Sequence, residues 1–91
     1  MNDNSVLQDA EGLINGARQS DYGHPADNFY NIAQGWNVII LANDGEVDAE
    51  CVALMMAWVK ICRQLNKPSR DNLVDGAGYL GTIELIQDRT Q

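Results

Sequence analysis

Apolar side chains recur at three- and four-residue spacing along nearly the whole chain, and strict alternation over four or more residues is hard to find. A half-buried strand requires that alternation, so the pattern predicts an all-α fold. Two prolines and a few capping residues punctuate it. A first helix is expected from about Ser5 to Ala17, with Val6, Ala10, Leu13, Ile14 and Ala17 on its inner face, followed by a polar turn over Arg18–His24. Pro25 suits the first turn of a second helix, because its missing N–H would be unpaired there anyway; that helix is expected to end near Ala42. Asp48 caps a third helix to about Asn66, whose apolar residues cover most of its circumference and mark it as central or partner-facing. Pro68 stops it. Ser69 then opens a fourth helix, from about Arg70 to Gln87, with Leu73, Val74, Ala77, Leu80, Ile83 and Leu85 inward. The expected architecture is a compact bundle of about four antiparallel helices, a single domain over residues 1–91 with frayed ends at 1–4 and 88–91.

Ninety-one residues leave no room for a second domain. A chain of this size buries only about 60–65% of the surface its unfolded form exposes, so a partner subunit is an expected source of stability and a homo-oligomer the expected state. Three glycines in the fourth helix, Gly76, Gly78 and Gly81, each cost roughly 0.8–1 kcal/mol relative to Ala in a helix interior. They suggest close packing against another backbone, or a ligand at the helix wall. Cys51 and Cys62 lie about 16 Å apart along one helix, too far for a disulfide, and read as free core thiols in a reducing compartment. The first residues are polar and acidic, unlike a secretory signal, and the longest apolar run, Cys51–Val59, is about half a membrane span. These features point to a cytoplasmic protein that does not enter membranes.

Thirteen acids against six bases give a net charge of −7, which argues against an extended nucleic-acid surface, since such binding rests on basic contacts to phosphate. The charge is not evenly spread. Lys60 through Arg70 holds four bases and no acid; Asp44 through Glu50 holds four acids and no base. Short connections make consecutive helices antiparallel, so the start of helix two, the end of helix three and the start of helix four share one pole. Arg18, Asp21, Tyr22, His24, Asn28, Lys60, Arg63 and Lys67 converge there, with Arg70, Asp71, Asn72 and Asp75 beside them. Two helix starts at a basic pole favour an anion or nucleotide, although the helix dipole alone would also select acids at the start of helix three and bases at its end.

Individual residues carry two readings each. Asp71 and Asp75 share a helix face and would serve either as a Mg²⁺ or acid–base pair, or as a helix-start acid and a partner for Lys60 or Arg63. His24 is a turn residue capping the second helix, or a general base or phosphate donor. Lys60 is expected in an interior ion pair with Asp75. Tyr79 reads as a core aromatic with its hydroxyl tied to a polar neighbour, and Trp36, Trp58, Met55 and Met56 read as core. The lone histidine is far from both cysteines, so no zinc spacing is present.

Three segments taken together, Arg18–Pro25 with its Asp21-Tyr22-Gly23-His24-Pro25 core, Ala53–Arg63, and Asp71–Tyr79, make the chain resemble a family of small proteins from tailed phages and prophages that has no settled activity. The resemblance spans nearly all of residues 8–85 and implies action in a host cytoplasm. A more distant similarity is to the MazG-type all-α nucleoside triphosphate pyrophosphohydrolases, helical and commonly oligomeric enzymes whose paired acidic motifs hold Mg²⁺ against nucleotide phosphates. Asp71, Asp75 and Tyr79 are similar to their second acidic motif, which implies Mg²⁺ at the two aspartates and nucleotide beside Tyr79. The first motif is not matched: Lys60 and Arg63 stand where two glutamates are wanted.

Two functional classes follow. One is a nucleotide-binding or nucleotide-hydrolysing protein, with phosphates on Lys60, Arg63 and the helix starts, Mg²⁺ on Asp71 and Asp75, and Tyr22 or His24 lining the base or attacking water. The other is an acidic interaction protein that binds and diverts a host factor through the carboxylates at Asp3, Asp9, Glu11 and Asp44–Glu50.

Overall fold

A computed structural model describes residues 4–90 and contains five helices and, among the described residues, no strand: α1 (Val6–Ile14), α2 (Ala17–Tyr22), α3 (Pro25–Ala42), α4 (Ala49–Asn66) and α5 (Arg70–Thr90). The expected all-α class is what the chain adopts. Fraying at residues 1–3 and 91 falls outside the described residues, and α5 continues through Thr90.

Local chemistry sets the helix starts. At α1 the Ser5 hydroxyl accepts from the Gln8 N–H while the Gln8 side chain accepts from the Ser5 N–H, a reciprocal capping box. The Asp48 carboxylate accepts from the Cys51 N–H at 2.8 Å to open α4, and the Ser69 hydroxyl accepts from the Asn72 N–H at 3.3 Å to open α5. Asp44 and Gly45 turn the chain between α3 and α4 with φ of 58° and 83°, a left-handed pair for which Asp and Gly are suited.

Helix α4 is the middle of a three-helix layer, flanked by α3 on one side and α5 on the other. Against α3, the Trp36 indole N–H donates to the Met55 carbonyl at 2.8 Å and the Trp58 indole N–H donates to the Asn31 carbonyl at 3.0 Å. The pairing 36 with 55 and 31 with 58 shows the two helices run antiparallel. Gly35 makes the approach possible, because a Cβ there would overlap the Trp58 ring. Against α5, Lys60 pairs with Asp75, Gln64 accepts from Asn72, and Gln87 donates to Glu50, again antiparallel. Both cysteines are free and buried.

The amino-terminal part departs from the expected single helix. It breaks at Asn15 and Gly16, where the Asn15 N–H and side-chain amide both donate to the Glu11 carbonyl and the Gly16 N–H donates to the Leu13 carbonyl, and the segment expected as a polar turn forms α2. Glycines at both ends, Gly16 and Gly23, bound this short helix. Helix α1 approaches only α2, so Val6, Ala10, Leu13 and Ile14, expected inward, are all exposed, Val6 at 84%.

The second correction concerns α5. Leu73, Val74, Leu80 and Leu85, expected inward, are 59%, 49%, 49% and 69% exposed. Ala77, also expected inward, is exposed, whereas Ile83 is half-buried as expected; the other half-buried positions are Asn72, Gly76, Tyr79, Thr82 and Ile86. Periodicity identifies which residues share a face but not whether that face has a partner within the chain. Likewise only Gly76 has a neighbour, the Lys60 Cβ at 3.6 Å from where its own Cβ would lie; Gly78 and Gly81 face open space. The buried apolar residues among those described are Ile32, Cys51, Ala53, Ala57 and Cys62.

Candidate functional site

The antiparallel layer brings α2 and the turn before α3 against the end of α4. Asn66 is the clasp: its Nδ2 donates to the Asp21 carbonyl at 2.8 Å, and its Oδ1 lies 3.3 Å from where a Cβ on Gly23 would project. Gly23 has φ of 80°, so this turn needs glycine both for backbone and for space. Lys67 adds an ion pair to the Asp21 carboxylate at 2.8 Å, whose hydrogen bond and charge raise the Lys67 pKa above its ordinary value.

Between α2, α4 and α5 lies a polar cavity of about 310 Å³ lined by Asp21, Tyr22, Lys60, Arg63, Asp71 and Asp75, among others. Lys60, Arg63 and Lys67 fall on one side of α4 because they are three, four and seven apart. Two of the three bases are committed: Lys60 to Asp75 at 3.2 Å and Lys67 to Asp21. The expected Lys60–Asp75 pair is present, with a lysine side chain only 15% exposed and a carboxylate 49% exposed, so it sits at the rim of the layer rather than in its interior.

Arg63 differs from both lysines. Its guanidinium lies 4.4 Å from the Tyr22 ring centroid, a cation–π contact, and its Nε is buried without a hydrogen-bond partner. No carboxylate among the described residues pairs with it. Asp71, exposed at the mouth, is likewise in no ion pair among the described residues.

The other sequence-derived residues are distributed around this cavity. Tyr22 is a wall shared with a second cavity of about 460 Å³ that includes His24, Asn28, Asn31, Trp58 and Asn66, and with a small apolar one beside Arg18, Asn28 and Phe29. Arg18 stacks on the outer side of Tyr22 at 5.5 Å, and Tyr79 lines none of these spaces. His24 caps α3, its Nδ1 accepting from the Ala26 N–H at 3.1 Å, which is the turn role the sequence suggested. With Ser69 capping α5, both helix starts at this pole are served in part by their own side chains, so side-chain cations are the main anion donors here.

Lys67 and Asn72, expected at this pole, complete the cavity together with Ser69, expected only as a helix cap. Asn72 organises the α4–α5 turn by donating to Gln64 and to the Lys67 carbonyl, a role that only the folded turn reveals. The expected Mg²⁺ finds few protein donors. Among the described residues no three His, Cys, Asp or Glu side chains gather, and with Asp75 held by Lys60 only Asp71 is an unengaged carboxylate. This donor set does not fit a two-metal clamp. At the opposite pole the acidic run is partly absorbed by the fold, Asp48 capping α4 and Glu50 accepting from Gln87. No helix among the described residues is long and apolar enough to cross a membrane.

Fold and site together define an all-α helical layer with one charged inter-helix cavity. Residues 5–87 match the family model described as a domain of unknown function, DUF6378, and the chain belongs to that family. It is 36% identical over 85 residues to the Gene 55 protein of Mycobacterium phage D29, covering 92% of this chain and 54% of that protein. To the Gene 55 protein of Mycobacterium phage L5 it is 40% identical over 84 residues, covering 91% and 53%. The chain thus spans about half the length of these relatives and is a small phage-type protein. No solved structure matches it.

Proposed function

We propose that this domain binds a phosphate-bearing small molecule of the nucleotide class in the cavity between α2, α4 and α5. The observation that carries the reading is Arg63: a guanidinium held against Tyr22, with a buried unpaired Nε and no carboxylate partner, in a cavity whose other cations are already neutralised. Leaving a buried donor unpaired is costly, and an anionic oxygen from a ligand would satisfy it. Planar arginine is suited to phosphate through two parallel N–H bonds. Tyr22 stacks under the guanidinium and fixes its plane. The neighbouring cavity, with Trp58, Asn31 and Asn66, offers an aromatic edge and amides to the rest of the ligand. Asp71 is the residue that would meet a Mg²⁺ carried in on the phosphates.

The reading is of a binding site first, with hydrolysis a further possibility of the MazG-like resemblance rather than of this donor set. Thermal denaturation of the 91-residue protein with a panel of nucleoside di- and triphosphates, with and without Mg²⁺, tests it. Ligand at about 100 times its dissociation constant adds about 2.7 kcal/mol, an upward shift of several degrees. Arg63→Gln is expected to abolish the shift. No shift with any member of the panel, together with no release of pyrophosphate, overturns the proposal.

A further inference from the structure

The chain exposes 6867 Å², whereas a compact folded monomer of 10.0 kDa exposes about 5,200 Å². Its radius of gyration is 15.9 Å against about 12 Å for a compact domain of this length. The surplus of about 1,600 Å² is twice the roughly 800 Å² that each partner contributes to a standard interface. The exposed large apolar side chains gather on α1 (Val6, Leu7, Leu13, Ile14) and on α5 (Leu73, Val74, Leu80, Leu85), and those of α5 flank a groove. From Leu73 to Gly81 the outward positions of this helix are Leu73, Val74, Ala77, Gly78, Leu80 and Gly81, and the only charge in the stretch is Asp75, which is turned to Lys60. Beside them an apolar groove of about 300 Å³ runs between α4 and α5, with Ile61 and Leu65 on its α4 side.

We propose that the outer face of α5 is a homodimer interface, on which a second copy of this chain docks with its own α5 antiparallel about a two-fold axis. This is independent of the nucleotide reading. The register follows from charge. Arg70, Ala77, Gly81 and Asp88 lie in one stripe, because seven, eleven and eighteen residues bring a helix back to nearly the same side. Reversing the stripe sets Arg70 opposite Asp88 of the second copy at both ends, and Ala77 opposite Gly81 at the crossing. Each copy carries −7, so association needs a face that is uncharged at its centre, as Ala77 to Gly81 is, and complementary at its ends, as Arg70 and Asp88 are; Glu84, exposed on the same side three residues beyond Gly81, falls opposite Val74 of the second copy. The small residues at the crossing let the two backbones approach, which accounts for Gly81 having no neighbour in the single chain. Leu73 and Leu85 of opposite copies meet on either side, and the α4–α5 groove is the space into which such side chains pack.

Sedimentation equilibrium of the full 91-residue chain over the micromolar range tests the interface, and reciprocal charge variants test the register. The wild-type chain is expected to sediment at twice its monomer mass. Arg70→Asp alone and Asp88→Arg alone each place like charges at both ends and are expected to weaken the dimer roughly tenfold. The double variant restores opposite charges between copies and is expected to recover the wild-type constant. Arg70 and Asp88 are exposed, so all three variants keep the fold, which ellipticity checks. Ala77→Glu, which places a charge at the crossing, is expected to give a folded monomer. A wild-type chain that stays monomeric overturns the proposal and assigns the face to another occupant, such as the further length present in the phage relatives. A double charge variant no tighter than the single ones overturns the antiparallel register.

Discussion

The two flanks of α4 are built differently. On the α3 side, two indole N–H groups reach across to helix carbonyls, a glycine admits one of the rings, and Ile32 is buried beneath them. On the far side of α5, leucines, valines and glycines lie open with nothing above them. Directional hydrogen bonds and a shaped notch specify a single geometry within one chain. An apolar face without such features specifies only that something must cover it, and here the chain does not cover it itself.

Three measurements would break or sharpen that contrast. Ile32→Ala is expected to cost the most, about 2–5 kcal/mol, because it removes the only large aliphatic side chain that is buried among the described residues. Its cost should not vary with protein concentration in denaturant unfolding of the isolated chain, whereas that of Leu80→Ala should appear only where the chain associates. Equal, concentration-independent losses for the two would erase the distinction. Gly35→Ala comes next, at about 1–3 kcal/mol, since its methyl group would overlap Trp58. Gly12→Ala in the open wall of α1 should instead gain about 0.5–1 kcal/mol, both read from shifts in the denaturation midpoint.

The smallest effect is a pH dependence at the start of α4. Hydrogen bonds from the Cys51 backbone N–H and thiol hold the Asp48 pKa below its usual 3.8. The contribution of this cap is therefore fully present above that value and is lost as pH falls through the lowered one. Amide exchange at the first residues of α4 should accelerate in acid, and Asp48→Asn, which keeps an acceptor oxygen but does not titrate, should flatten that profile.

The sequence was most legible where single residues dictate backbone chemistry. Pro25, Asp48 and Ser69 set the starts of α3, α4 and α5, and the short connections by themselves imply that Tyr22 lies beside the end of α4. The break at Asn15–Gly16 was hidden because helical spacing continues across it, and a change of axis leaves no mark on a three-and-four pattern. The inner face of α5 was misassigned in part for a related reason: Leu73, Val74, Leu80 and Leu85 point outward, while Gly76, Tyr79 and Thr82 join Ile83 on the half-buried side. At the candidate site, the Lys60–Asp75 pair and the His24 cap followed from spacing. The contact of Arg63 with Tyr22 did not, because it joins two residues 41 apart in sequence and depends on the clasp made by Asn66.

Both tryptophans of the chain, Trp36 and Trp58, lie on the α3–α4 seam, each with its indole nitrogen bonded to the opposing helix. Indole emission is therefore a gauge of that seam and of the cavity that Trp58 lines beside it. Helices α1, α2 and α5 carry only tyrosine, at Tyr22 and Tyr79, and so the molecule reports optically on its most firmly built joint and leaves its unpartnered faces spectroscopically dark.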